Sequence, residues 1–143
     1  MAQQVRDVMT SDVKTVPPQA RLGDVARIMR DEDIGSVPVV QDEQLLGMIT
    51  DRDLVIRALA AGDENVMQRT AGEFMTPEVQ CCRDDQNLGD VLKEMGEQQI
   101  RRLPVVDQDR KLVGIVSLGD LSHDAKPKQA GKALGEITQP TGH

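Results

Sequence analysis

Residues 7–10 and 73–76 read Asp-Val-Met-Thr and Glu-Phe-Met-Thr, and the register that aligns them runs on through most of the chain. Leu22-Gly23-Asp24-Val25 falls on Leu88-Gly89-Asp90-Val91, Met29 on Met95, Ile34 on Ile100, and Val37-Pro38-Val39-Val40 on Leu103-Pro104-Val105-Val106. After one extra residue in the second turn, Gly47-Met48-Ile49-Thr50 falls on Gly114-Ile115-Val116-Ser117, and Asp53-Leu54 on Asp120-Leu121. Matches at apolar, glycine, proline and acidic positions in one order constrain the fold more than any single motif, so the chain is built from two copies of one unit.

Each copy reads as an alternation of helix and strand. Leu22, Val25, Ala26 and Met29 recur at helical spacing, and Leu88, Val91, Leu92 and Met95 repeat it, which predicts a helix with one buried stripe in each copy. Asn87 is placed to cap the second of these, whereas the first has Arg21 at that position. The β-branched runs at Val37–Val40 and Leu103–Val106 pair through polar turns with Leu45–Thr50 and Lys111–Ser117, giving a hairpin in each copy. Pro38 and Pro104 lack a ladder donor, which predicts an edge strand or a bulge. Earlier short strands are expected at Val13–Val16 and Val79–Cys82, a second helix over Asp51–Ala60 ended by Gly62, and a short lead-in helix over Thr70–Met75.

A β-α-β-β-α unit of about 60 residues leaves a sheet face and two helix stripes uncovered, so a single copy is marginal. The expected fold class is α/β, two pseudo-symmetric repeats packed sheet to sheet. The expected organisation is a first repeat over 5–62, a linker over 63–69, a second repeat over 70–124 and a flexible polar tail over 125–143.

Composition narrows function. The 143 residues carry 24 acidic against 17 basic side chains, with one Phe and no Trp or Tyr. Net acidity repels a phosphate backbone and the missing aromatics remove a stacking platform, so nucleic acid is not an expected partner. No apolar stretch reaches the roughly 20 residues that span a bilayer, and MAQQVRDVMT carries no apolar signal core, which disfavours membrane insertion and secretion. Cys81 and Cys82 are adjacent, and bridging them would strain the ring, so both are expected as reduced strand residues in a cytoplasmic protein. Those thiols with His123 or His143 match no closed zinc pattern, and no metal is expected. Neither a Ser/His/Asp or Cys/His arrangement nor a Gly-rich phosphate loop is present, so no catalytic residue is expected and the chain reads as a non-enzyme.

The Met-Thr lead-in, the Ile-x-x-apolar-Pro-Val-Val segment, the Gly-apolar-apolar-Thr/Ser strand end and an Asp three residues later occur twice in order over residues 5 to about 124. This set resembles a tandem pair of cystathionine-β-synthase (CBS) domains, a Bateman module. The resemblance implies regulatory binding of adenosine-containing ligands (AMP, ADP, ATP or S-adenosylmethionine) in two clefts, with homodimerisation and an unidentified regulated protein as partner. It implies no cofactor beyond such an adenine nucleotide.

Thr50-Asp51-Arg52-Asp53 and Ser117-Leu118-Gly119-Asp120 each close a strand and open a helix, where unpaired N–H groups attract an anion. The same spacing also resembles a capping box that needs no ligand. The resemblance assigns Asp53 and Asp120 to ribose hydroxyls and Thr50 and Ser117 to ribose or phosphate. By the pattern of similar modules, Asp53 would share a cleft with Val79, Ile100, Arg101 and Arg102, and Asp120 with Val13, Ile34, Gly35 and Ser36. Arginine is the natural bidentate phosphate partner. The Thr50/Asp53 cleft is therefore expected to take phosphates, and the Ser117/Asp120 cleft, expected without arginines, to take a less charged adenosine compound or to stay empty. A ligand-free module for dimerisation or partner binding is the alternative.

Overall fold

The protein's structure, a computed structural model, describes residues 3–119. Its chain contacts divide into two compact units, one over Lys14–Val79 and the other joining residues 3–13 to residues 80–119. Each unit is an α/β layer with its own buried apolar cluster. Asp120 and the tail over 125–143 lie outside the described residues.

The first unit contains α1 (Leu22–Glu32), β1 (Ser36–Gln41), β2 (Gln44–Thr50), α2 (Ala71–Phe74) and β3 (Thr76–Pro77). Of the expected stripe, Leu22, Val25 and Met29 are buried against Val37, Val39 and Ile49 of the sheet, whereas Ala26 is exposed; full burial of side chains this size stabilises by about 1.5–3 kcal/mol each. Arg21 makes no side-chain cap. Instead the Leu22 N–H donates to the Arg69 carbonyl at 2.8 Å, so the connector between the repeats satisfies the helix start.

The second unit contains β4 (Cys82–Arg83), α3 (Leu88–Gln98), β5 (Arg102–Val106) and β6 (Leu112–Ser117). Here the expected cap forms, with Asn87 Oδ1 accepting from the Gly89 N–H at 2.8 Å and the Asp90 N–H at 3.3 Å. Both long helices end alike. Asp33 and Gln99 adopt left-handed φ of 53° and 56°, and Ile34 and Ile100 donate back to Met29 and Met95 at 3.0 and 2.9 Å. That turn aims each chain into the first strand of its hairpin.

The early strands are shorter than expected: Val16 alone bridges Val39, and only Cys82–Arg83 pairs, in parallel, with β5. The expectation for proline holds for Pro38, whose strand β1 is at the edge of its sheet, and is corrected for Pro104, which lies on β5, between β4 and β6. Pro104 stands opposite Ile115, whose N–H and C=O both bond Thr10 on the far side, so this pair exchanges no ladder bonds. The missing donor faces β4, which begins pairing only at Val105. A central proline therefore costs no hydrogen bond.

The lead-in segments are exchanged between the copies. Met75-Thr76-Pro77, which opens the second sequence copy, pairs along β2 of the first unit. Met9-Thr10, which opens the first copy, lies along β6 of the second, with Thr10 and Ile115 bonding reciprocally at 2.8 and 2.9 Å. Val5, fully buried, is seated in that same unit beside Leu88, Val91 and Cys82. Both crossings run over a glycine, for a Cβ on Gly47 would collide with the Thr76 carbonyl, and one on Gly114 would lie 2.7 Å from Met9 Sδ and 2.8 Å from the Thr10 carbonyl.

Arg69 fastens the connector by pairing with Asp63 and Glu73 and lying over the Phe74 ring. Glu73 completes a capping box with Thr70. The helical stretch after β2 is wider than an α-helix over Asp53–Ala58, tightens over Leu59–Ala61 and stops at Gly62, where φ is +77°.

Two predictions follow from these contacts. Gly114→Ala and Gly47→Ala should each destabilise by about 1–3 kcal/mol, because a backbone carbonyl cannot yield as a flexible side chain can; urea unfolding checks this. Hydrogen bonds from Arg69, then from the Thr70 N–H and hydroxyl, hold the Glu73 carboxyl at about 2 against an ordinary 4.5. Its folded value is depressed, so its contribution is complete above about 4.5 and is lost as pH falls toward 2. Glu73→Gln should flatten the acid limb of the stability curve in that window, read by urea melts at stepped pH.

Candidate functional site

Each hairpin ends where a helix begins, and the first of these turns closes on itself. Thr50 Oγ1 accepts from the Asp53 N–H at 3.1 Å, while Asp53 Oδ2 accepts from the Thr50 N–H at 2.9 Å. This is the reciprocal capping box that the spacing allows. Asp53 is buried, at 7% exposure. Its other oxygen lies 3.7 Å from Arg57, whose guanidinium donates to the Phe74 carbonyl at 2.9 Å. The cap engages one carboxylate oxygen and leaves Oδ1 beyond it.

Register decides which side chains surround each turn. Ser36 stands opposite Thr50 in the β1–β2 ladder, and Arg102 opposite Ser117 in the β5–β6 ladder. Just beyond, the Asp51 N–H donates to the Gly35 carbonyl at 2.9 Å and the Leu118 N–H to the Arg101 carbonyl at 2.8 Å. Those outer bonds make Ser36–Thr50 and Arg102–Ser117 non-hydrogen-bonded pairs, the class in which side chains lie closest and on one face. The structure thus brings Gly35 and Ser36 to the strand end at Thr50, and Arg101 and Arg102 to the strand end at Ser117, while Ile34 and Ile100 pack against the apolar clusters of their units. An antiparallel hairpin necessarily sets the residue entering its first strand against the residue leaving its second.

The guanidinium groups of Arg101 and Arg102 are exposed and make no ion pair among the described residues. Val79 belongs to the unit that holds Thr50, and Val13 to the unit that holds Ser117, both half-buried. Asp120 lies outside the described residues.

Asp51 is a further acid at this turn that the repeated motif does not mark. Its carboxylate lies against Gly35, with Oδ2 3.1 Å from where a Cβ would stand, and Oδ1 accepts from the Arg52 N–H at 2.8 Å. The available signal was the contrast of Asp51-Arg52 with Leu118-Gly119 at the matching positions. Among the described residues no group of His, Cys, Asp and Glu is arranged to hold a metal. Burial pushes the Cys82 thiol up to about 12, which keeps it protonated in the core. No helix of the described residues is long and apolar enough to cross a membrane.

Comparison with known proteins fits this geometry. The CBS domain family model matches at residues 5–59 and again at 71–125. The chain is 39% identical over 140 residues to the CBS domain-containing protein YhcV of Bacillus subtilis, covering 97% of this chain and 98% of that protein. Among solved structures it is similar to CBSX2 of Arabidopsis thaliana in complex with AMP, at 31% identity and a TM-score of 0.73, covering 84% of this chain and 93% of that one. It is also similar to the CBS domain pair of protein MJ0100 in complex with 5′-methylthioadenosine and S-adenosyl-L-methionine, at 30% identity and a TM-score of 0.70, covering 86% and 95%. Two family matches in tandem, on two units with the same helix, hairpin and strand-end turn, establish that the chain belongs to the CBS domain family as a CBS domain pair.

Proposed function

We propose that the protein is a non-catalytic regulatory module that binds adenosine-containing ligands at its two strand-end turns and passes the bound state to a regulated protein. The observation that carries this reading is the turn at Thr50 and Asp53, where a hydroxyl, a buried carboxylate and a helix start converge. A carboxylate there can accept from a ribose diol, and the helix start favours an anion. Support comes from two similar CBS pairs, one holding AMP and the other 5′-methylthioadenosine and S-adenosyl-L-methionine. In this reading Asp53 and Asp120 take ribose hydroxyls, and Thr50 and Ser117 take ribose or phosphate. Val13, Ile34, Val79 and Ile100 supply apolar surface for the base.

One observation favours a second reading, a ligand-free module for dimerisation or partner binding. The capping box at Thr50 and Asp53 is complete without a ligand, and Val55, Ile56 and Leu59 are each more than half exposed on the helical stretch that follows. Isolated exposed apolar residues are ordinary, but three on one short helix make a patch suited to association. The helical stretch Asp51–Ala60 is accordingly proposed as the homodimer surface; the matching stretch after Ser117 lies largely outside the described residues.

Asp53→Ala separates the two readings. If the carboxylate holds ribose, its loss lowers affinity for AMP by about 10- to 150-fold in calorimetric titration well below the melting point. If it only caps, the substitution costs about 0.5–2 kcal/mol of stability and leaves affinity unchanged. For the dimer surface, Val55→Glu with Leu59→Glu should halve the mass seen by light scattering at micromolar concentration; a wild-type monomer would reject that surface.

A further inference from the structure

One guanidinium nitrogen of Arg57 lies among three oxygens, those of Asp53, Phe74 and Met75. Resting on the adenosine-binding reading above, we infer that Arg57 competes for the ribose-binding oxygen of Asp53 and that the docked connector at Phe74 and Met75 holds it off. Arg57 is then the positioning residue that couples filling of the Thr50 turn to the seating of β3.

Arg57 Nη1 donates to the Phe74 carbonyl at 2.9 Å and reaches the Met75 carbonyl at 3.5 Å, while Asp53 Oδ1 stands 3.7 Å away. That last distance is beyond a hydrogen bond. An acid and an arginine three or four residues apart along a helical stretch ordinarily close into a charge-assisted bond, and elsewhere in the same unit they do. Arg69 meets Glu73 at 2.6 Å, and Arg27 meets Asp24 at 2.7 Å. Arg57 and Asp53 have the same spacing, and Asp53 is the more buried acid, yet the pair stays open. What holds it open is the end of α2, whose carbonyls take the Nη1 hydrogens.

Those carbonyls belong to the segment that leads directly into β3, which pairs with β2 at Gly47 and Met48. Asp53 Oδ2 already accepts from the Thr50 N–H, so a ribose diol depends on Oδ1. With the connector seated, Arg57 stays on its carbonyls and Oδ1 keeps its lone pairs for the diol. With the connector lifted, the guanidinium loses those carbonyls, and the carboxylate four residues back is within reach. Closing that pair occupies Oδ1 and shuts out the ribose. A ligand on Oδ1 and a seated β3 therefore favour one another, and the coupling acts equally in both directions.

The test is a double-mutant comparison on the full chain, read by calorimetric titration with AMP well below the melting point. Gly47→Ala, whose added Cβ collides with the Thr76 carbonyl, should weaken AMP by about fivefold or more. In an Arg57→Gln background the same substitution should change affinity by less than about twofold. Comparison within each background cancels any direct pull of Arg57 on the phosphate. Arg57→Lys, which keeps a cation able to reach either partner, should restore the dependence on Gly47→Ala. Amide hydrogen exchange tests the coupling without the Gly47 substitution: AMP should slow exchange at Met75 and Thr76 more than along α1 in wild type, and no more than along α1 in Arg57→Gln. Equal weakening by Gly47→Ala in both backgrounds, or the wild-type pattern of protection persisting in Arg57→Gln, would overturn the role of Arg57 while leaving the adenosine-binding reading intact. Failure of wild type to bind AMP would overturn both.

Discussion

The register of the two β-hairpins is the constraint on which the rest of the molecule depends. Side chains alternate across a strand, so a slip of one residue would turn Val37, Val39 and Ile49 out of the core and expose the opposite set. A bulge between Val39 and Val40, repeated between Val105 and Val106, holds that register against the polar turns. With register fixed, Ser36 must face Thr50 and Arg102 must face Ser117. The identity of the residue before each strand then becomes the chemistry of the turn after the next one.

Much of this was legible in the residues. The stripes at Leu22 and Leu88, the cap at Asn87, both hairpins and the αL stop at Gly62 follow from periodicity and local backbone preference, and those are short-range properties. What escaped was long-range. That Pro104 could sit in a central strand depends on where β4 begins and on Thr10 taking both polar groups of Ile115, and neither follows from the neighbourhood of Pro104. Arg101 and Arg102 were visible as a cation pair, yet their placement beside Ser117 comes from pairing geometry and not from composition. Asp51 was hidden because its role depends on the empty space at Gly35, a property of a neighbouring strand.

The Thr50 turn shows why a cap and a binding group need not be rivals. A capping box consumes one lone pair of the carboxylate and one of the hydroxyl, and a carboxylate has several. Holding Asp53 in place from both ends fixes the rotamer of a buried acid before any ligand arrives, which lowers the ordering entropy that binding must overcome. Stability and preorganisation are then two consequences of the same pair of bonds.

The exchanged lead-ins give the chain an awkward order of birth. A ribosome delivers Val5 and Met9 first, yet the surfaces that receive them, from Cys82 to Leu88 and at Gly114 and Ile115, are made roughly a hundred residues later at Gly114. Residues 14–79 hold all the pieces of their own unit by the time Thr76 and Pro77 emerge. The middle of the polypeptide can therefore condense while its leading end still waits as an unpaired apolar segment, and the slow, long-loop closure that seats it belongs to the last stage of maturation.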